Sequence, residues 1–254
     1  MLELPYDLDR TVLIRALPET VFRFFTDSAR FAAWWGAGST IDASPGGKVY
    51  IRHPNGVEAG GEVLEVESPR RIVFTYGYAS GNPIPPGSSR VTIRLEPVES
   101  GTRLLLHHEF AEAGARDLHV QGWRFQLSLF ANAVANEVHA GAEAIVDQWY
   151  EAWTIAGDQA RAELLARIAA PDVSFRDRYS LLEGLDDLRA HTGAAQRFMP
   201  GIRLQRSGCV RQCQGAVLSE WTAIDKEGKE CMSGSSVFQF RPDGRIEAVI
   251  SFAK

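Results

Sequence analysis

Cysteine is scarce in this chain: three residues in 254, Cys209, Cys213 and Cys231, all in the second half. An odd count confined to one half is not the disulfide framework of a small secreted protein, so the thiols read as reduced. The pair in "CVRQC" lacks the spacing of a zinc knuckle and no second Cys or His pair follows it. Along a strand the two would simply share a face, so no metal is expected there. An excess of positive charge is also missing. Lys and Arg number 27 against 32 Asp and Glu, a formal net charge of -5, which offers phosphates no attractive field and argues against nucleic acid as a partner. No apolar run is long enough to span a bilayer, and no basic stretch leads into an apolar one at the N-terminus. The expected setting is therefore the cytoplasm, with no membrane partner. A Gly-rich phosphate loop, a nucleophile elbow and a metal-ligand cluster are likewise lacking, so no cofactor is expected. His107 and His108 are neighbours in a strand and point to opposite faces, which prevents them from chelating one ion together.

What is present is globular material whose length favours two domains over one. From Asp9 to about Ala140 the order reads strand, helix, several strands and a long helix. In "RIVFTYGY" the residues Ile72, Phe74, Tyr76 and Tyr78 share one face, and in "RVTIRLEP" Val91, Ile93 and Leu95 oppose Thr92, Arg94 and Glu96. Both are half-buried antiparallel strands. "ASGNPIPPGSS", "SPGGK" and "HPNG" punctuate the strands as loops. Leu118, Trp123, Leu127, Phe130 and Val134 then fall at helical spacing, so a curved sheet gripping a long terminal helix is the economical packing.

The motifs "LPETVFRFFTDSARFAAWW", "SPGG", "GEVLEVESPRRIVFTY", "SSRVTIRLEP", "GTRLLLHHEF" and "QGWRFQLSLF" occur in this order. With them the first half, residues 1–140, resembles the heat-shock-protein-90 ATPase activator homologue branch of the START-like (SRPBCC) superfamily. The resemblance implies a helix-grip fold with an apolar cavity between sheet and terminal helix, and a small hydrophobic ligand. By parity Phe74, Tyr76, His108 and Trp123 should face that cavity, with Trp35 at its mouth; the same aromatics would equally serve as plain core.

Near Gly141 the pattern restarts. A helix carries Ile145, Val146, Trp149, Ala152 and Trp153, and a second short helix ends before Pro171. A strand then leads to Asp177, followed by a helix through "LDDLRAHTGAAQRF" and four strands, 202–211, 216–225, 231–241 and 246–252. "DKEGK" and "RPDGR" carry the Gly that hairpin turns call for. This second half, residues 141–254, resembles the SnoaL-like branch of the nuclear transport factor 2-like superfamily, a cone-shaped α+β barrel. The whole chain is thus expected to be α+β. Only "NEVHAGAEA" joins the halves, with no Ser/Gly/Pro-rich tether between them.

The relatives implied by that second resemblance include ketosteroid isomerase and polyketide cyclases and dehydratases. Against the isomerase pattern, Tyr150 falls at the oxyanion-stabilising phenol and Asp177 at the proton-abstracting carboxylate. Where the isomerase carries a second acid on a late strand, this sequence has Ser236, a weaker donor. His191, bracketed by Leu188 and Ala195 at helical spacing, is a candidate to complete an acid-base pair with Asp177. Each has a structural alternative: Asp177 as a solvated turn carboxylate between Arg176 and Arg178, Tyr150 and His191 as satisfied packing residues. Glu220 and Trp221 alternate, so only one faces the cone. Glu220 there would compete as base, whereas Trp221 would be wall, alongside Trp149 and Ser236.

Three functions follow as expectations. The first is a binder of small hydrophobic or aromatic molecules. The second is a cyclase, dehydratase or isomerase of polyketide-like or other carbonyl substrates. The third is a co-chaperone-like interaction module. Resemblance also implies a homodimer formed through the second domain.

Overall fold

The computed structural model describes residues 3–254. It has two compact units, dividing between Ala135 and Asn136, and each is α+β around a single sheet.

In the first unit the strands are β1 (Tyr6–Ile14), β2 (Thr40–Ile41), β3 (Lys48–Arg52), β4 (Glu58–Glu67), β5 (Arg71–Tyr78), β6 (Ser89–Val98) and β7 (Gly101–Phe110). They form one antiparallel sheet in the order β1-β7-β6-β5-β4-β3-β2. Alternation sets its two faces: Val91, Ile93 and Leu95 of β6 are buried while Arg94 and Glu96 are exposed. On the outer face Arg90 pairs with Glu109 and Glu96 with Arg103, each pair directly opposite in the β6–β7 ladder, which reinforces the register.

Three helices complete this unit: α1 (Pro18–Arg23), α2 (Ser28–Trp35) and α3 (Ala113–Val138), whose last residues run past the division. Helix α1 begins at Pro18, whose fixed φ suits a first helical position. Asp27 caps α2 by accepting the Arg30 N–H at 2.9 Å. The helix stops at Gly36, where φ is 140° and a Cβ would run into the Arg52 carbonyl.

Helix α3 buries His119, Trp123, Leu127, Phe130 and Val134. Phe130 stands at the centre, stacked on Phe25 at 4.8 Å and edge-on to Trp34 at 4.9 Å, while the Gln126 amide donates to the Trp34 carbonyl. Leu118, expected on this face, is instead 69% exposed. Five residues separate it from Trp123, a rotation of roughly 140° about the axis, and His119 takes the inward position.

The second unit begins with α4 (Ala142–Ala152) and α5 (Asp158–Ile168). Then come β8 (Ala169–Arg176), β9 (Leu181–Glu183), α6 (Gly184–Phe198), β10 (Arg203–Cys213), β11 (Ala216–Ile224), β12 (Glu230–Phe240) and β13 (Ile246–Ala253). The sheet order is β10-β11-β12-β13-β8-β9, antiparallel except where β8 runs parallel to β13. The strands expected from alternation appear within two residues of their expected bounds, and β9 is an addition too short to leave a periodic trace. Gly228 and Gly244 turn the hairpins at φ of 84° and 83°.

Arg206 of β10 ties the sheet to α4 through Asp147 at 2.8 Å and Glu143 at 2.7 Å. Trp149, Leu165, Val173, Leu188, Phe238 and Ile246 form the heart of the core. Cys209 and Cys213 lie on β10 with a register shift between Ser207 and Arg211, and both are exposed.

Candidate functional site

The second unit encloses a cavity of about 510 Å³ between its helices and the inward face of its sheet. The alternation of β8 leads into it. Val173 and Phe175 point inward, and Asp177, two residues on, follows the same parity onto the cavity wall, one residue after the strand ends.

Asp177 is also a turn residue. Its Oδ1 accepts the Tyr179 N–H at 2.8 Å, and its own N–H donates to the Ser180 carbonyl at 3.0 Å. The Ser180 hydroxyl in turn lies 3.2 Å from His191 Nε2 on α6. His191 is half-buried on the cavity wall, edge-on to Trp153 at 5.6 Å. One short turn therefore links the two candidate acid-base side chains.

Helix α4 supplies the opposite candidate. Tyr150 is 2% exposed, and burial raises its pKa, which keeps the phenol protonated as a donor. Its hydroxyl lies near Ser219 and Ser236 without meeting hydrogen-bond geometry to either. Ser236 bonds instead to Ser251 at 2.9 Å, hydroxyl to hydroxyl, and both serines line the cavity. The indole N–H groups of Trp153 and Trp221 are buried and equally unpartnered. Three wall residues thus carry a buried polar hydrogen with no acceptor in hydrogen-bond geometry among the described residues, an arrangement that costs free energy unless a guest or water supplies one.

Strand β11 resolves the choice between its neighbouring residues. Trp221 faces the cavity and Glu220 faces away, accepting the Ser235 hydroxyl at 2.9 Å with Lys254 Nζ at 3.4 Å. These contacts hold the Glu220 carboxyl below its ordinary range, the Ser235 hydroxyl contributing most. Trp221 stands directly opposite Gly234 of β12, where a Cβ would come within 2.5 Å of the indole ring. The missing side chain makes room for the indole.

The first unit holds a second cavity, of about 360 Å³, walled by Trp35, Tyr76, Tyr78, His119 and Trp123. Phe74 and His108, expected to face it, are not in its walls, and both are fully buried. Phe74 sits between Val63 and Val91 in mid-sheet, whereas the cavity opens at the Tyr76–Tyr78 end of β5. His108 is held by Trp123, whose Nε1 donates to Nδ1 at 2.8 Å, and by Ser89, 2.8 Å from Nε2. Burial drives its pKa well down, with His119 and His107 adding to the shift. His53 Nε2 and Trp35 Nε1 are buried without a hydrogen-bond partner.

Several wall residues escaped the sequence reading. Tyr78 continues the parity of Tyr76, and His119 lies one helical turn before Trp123, so both carried a usable signal. Arg178, Ser180 and Ser251 carried none, because their positions depend on the path of a turn and on strand pairing. Among the described residues, the metal-ligand side chains that gather within 4.8 Å of one another are Asp7, Asp9 and His107, none of which lines a cavity. His107 Nδ1 lies 2.8 Å from Asp9 Oδ1 across the β1–β7 ladder. No helix among the described residues is long and apolar enough to cross a membrane.

Comparison with known proteins divides the chain in the same manner. Residues 15–135 match the family model described as Activator of Hsp90 ATPase homolog 1-like protein, and residues 146–249 match the SnoaL-like domain. Similar solved structures include a SnoaL-like family protein from Agrobacterium tumefaciens, 23% identical, covering 46% of this chain and 98% of its own, with a TM-score of 0.43. The Aha1 dimer from Colwellia psychrerythraea is 17% identical over 48% of this chain and 90% of its own, TM-score 0.42. CalU16 from Micromonospora echinospora is 25% identical over 52% and 76%, TM-score 0.41. No curated protein matches the chain.

Proposed function

We propose that this chain, which carries an Activator of Hsp90 ATPase homolog 1-like domain followed by a SnoaL-like domain, binds small hydrophobic or aromatic molecules, chiefly in the second domain. The observation that carries the proposal is the aromatic-walled cavity of about 510 Å³ whose wall residues Tyr150, Trp153 and Trp221 hold unpartnered polar hydrogens. The volume lies within the roughly 300–1,000 Å³ of small-molecule sites, and mostly apolar walls with a few polar groups are their usual chemistry. A guest with an aromatic body and acceptor oxygens would satisfy both. The smaller cavity of the first domain, with Trp35, Tyr76 and Trp123 in its wall, is included in the proposal as a second site.

Native mass spectrometry of gently purified protein, followed by titration with a panel of aromatic ketones and phenols, tests this. The expected result is a one-to-one adduct that weakens when Trp221 is replaced by Ala. Failure of the whole panel to bind would overturn the reading.

A second reading is an acid-base enzyme acting beside a carbonyl, favoured by one observation: Asp177, His191 and Tyr150 line the same cavity. In this scheme the Asp177 carboxylate accepts a proton from the carbon next to the carbonyl, and the Tyr150 hydroxyl donates to the oxygen as negative charge develops on it. Asp177→Asn would then abolish turnover while leaving affinity for the same compounds largely intact. Loss of both together would count against the scheme. A homodimer and a cytoplasmic setting belong to the same proposal, and light scattering on the full chain tests the first of them.

A further inference from the structure

The cavity of the second domain carries one feature that binding of neutral aromatics does not use. Arg178 is part of its wall, is exposed, and has no ion-pair partner among the described residues. Its guanidinium rests 5.7 Å from the centroid of the Tyr179 ring, and Tyr179 belongs to the same wall while being 78% exposed. A guanidinium lying on an aromatic ring keeps its plane but leaves its N–H edge free, and that edge matches a carboxylate with two parallel hydrogen bonds. The deeper polar groups lacking a partner, the Tyr150 hydroxyl and the Trp153 and Trp221 indoles, are donors as well.

Among the described residues the wall holds one carboxylate, Asp177, whose Oδ1 accepts the Tyr179 N–H of its own turn. The buried unpartnered atoms of the wall therefore all carry a donor hydrogen, and the exposed rim adds a cation beside the Asp177 carboxylate. A neutral ketone would meet the donors and leave the cation idle.

From this the geometry points to an aromatic or apolar carboxylic acid as the ligand class, bound with its ring system inside and its carboxylate on Arg178. The assignment rests on the binding reading above, which it narrows from apolar molecules in general to organic anions. Arg178 would then be a specificity-determining residue, since it distinguishes an acid from its ester without touching the apolar body of either.

The test is isothermal titration calorimetry on the full chain with 2-naphthoate and its methyl ester, on wild type and on Arg178→Gln. In wild type the acid is expected to bind about fivefold more tightly than the ester, the upper end of what one ion pair at an exposed site contributes. Arg178→Gln should bring the two to equal affinity by weakening the acid alone. Equal affinities in wild type, or an acid preference that survives the substitution, would overturn the anion assignment and leave the apolar cavity reading standing. Binding of neither probe would overturn both.

Discussion

The Trp123 indole donates to His108 Nδ1 at 2.8 Å, so the imidazole carries its proton on Nε2, where it reaches the Ser89 hydroxyl, and that hydroxyl donates to the Tyr76 carbonyl at 2.8 Å. Both ring nitrogens are engaged in the neutral form alone. A second proton would remove the acceptor that Trp123 needs and place a charge in a fully buried site.

Stability should therefore depend on pH in a defined direction. In the unfolded chain His108 takes up a proton near the ordinary 6.5, whereas the folded form, its pKa pushed well below that value by burial, does not. The unfolded state binds more protons below 6.5, and stability falls as pH drops through that region while staying flat above it. Each such group contributes at most about 1.4 kcal/mol per pH unit. His119 and His53, also lowered by burial, add in the same sense. Urea unfolding of the full chain at a series of pH values should show a shallower acid-side slope in His108→Phe than in wild type. An unchanged slope would exclude His108 as a contributor.

Tyr150→Phe separates stability from function. Among the described residues no group meets hydrogen-bond geometry with the hydroxyl, so its removal should change unfolding free energy by no more than about 0.5 kcal/mol, or raise it. Affinity for an acceptor-bearing guest should fall by about 1 kcal/mol, roughly fivefold, if the hydroxyl serves that guest. Denaturation and titration of the same preparation give both numbers. A large loss of stability would mean the hydroxyl is bonded after all.

Gly234→Ala should close the second cavity partway. The new methyl would run into the Phe252 carbonyl oxygen of β13 and stand 2.5 Å from Trp221 Cζ2, so the paired backbone must shift as well as the ring, which borders the cavity. A cost of about 1–3 kcal/mol is expected for overpacking. Guest size preference should also shift toward smaller molecules, and a panel graded by ring number would reveal it.

Phe130→Ala should be among the most damaging changes in the first unit. The side chain is fully buried and contacts Phe24, Phe25 and Trp34 at ring separations of 6.0, 4.8 and 4.9 Å. Loss of about 3–5 kcal/mol is expected on thermal or urea unfolding. Phe125→Ala, five residues earlier on the same helix but 65% exposed, should cost far less.

Much of this was legible because periodicity is a local property. The strand around Val217 alternates buried and half-buried along its length, the one around Val91 buries Val91, Ile93 and Leu95 on one face, and Gly228 and Gly244 mark turns that only a residue free to adopt positive φ fits easily. Asp177 could be placed at the end of a strand for the same reason, while the choice between turn carboxylate and pocket wall stayed open. Leu118 points outward although its spacing from Trp123 is compatible with the helix face, because the burial of His119 fixes the angle of the helix. Phe74 and His108 share the parity of Tyr76, and parity names a face of the sheet but not the point along it where a cavity opens.

By itself, then, the chain's pattern of apolar and polar residues determined the succession of helices and strands, the division into two α+β units, and the set of side chains available to either interior. Alternation and helical spacing depend only on backbone geometry, so nothing distant is needed to read them. Tertiary structure alone decided that Trp221 and not Glu220 faces the cavity, that His108 is a bonded strut beneath Trp123, and that a turn links Asp177 to His191 through Ser180. Those outcomes depend on which strand lies opposite, where Gly234 leaves room, and how a loop folds back, and each is set by contacts between residues far apart along the chain.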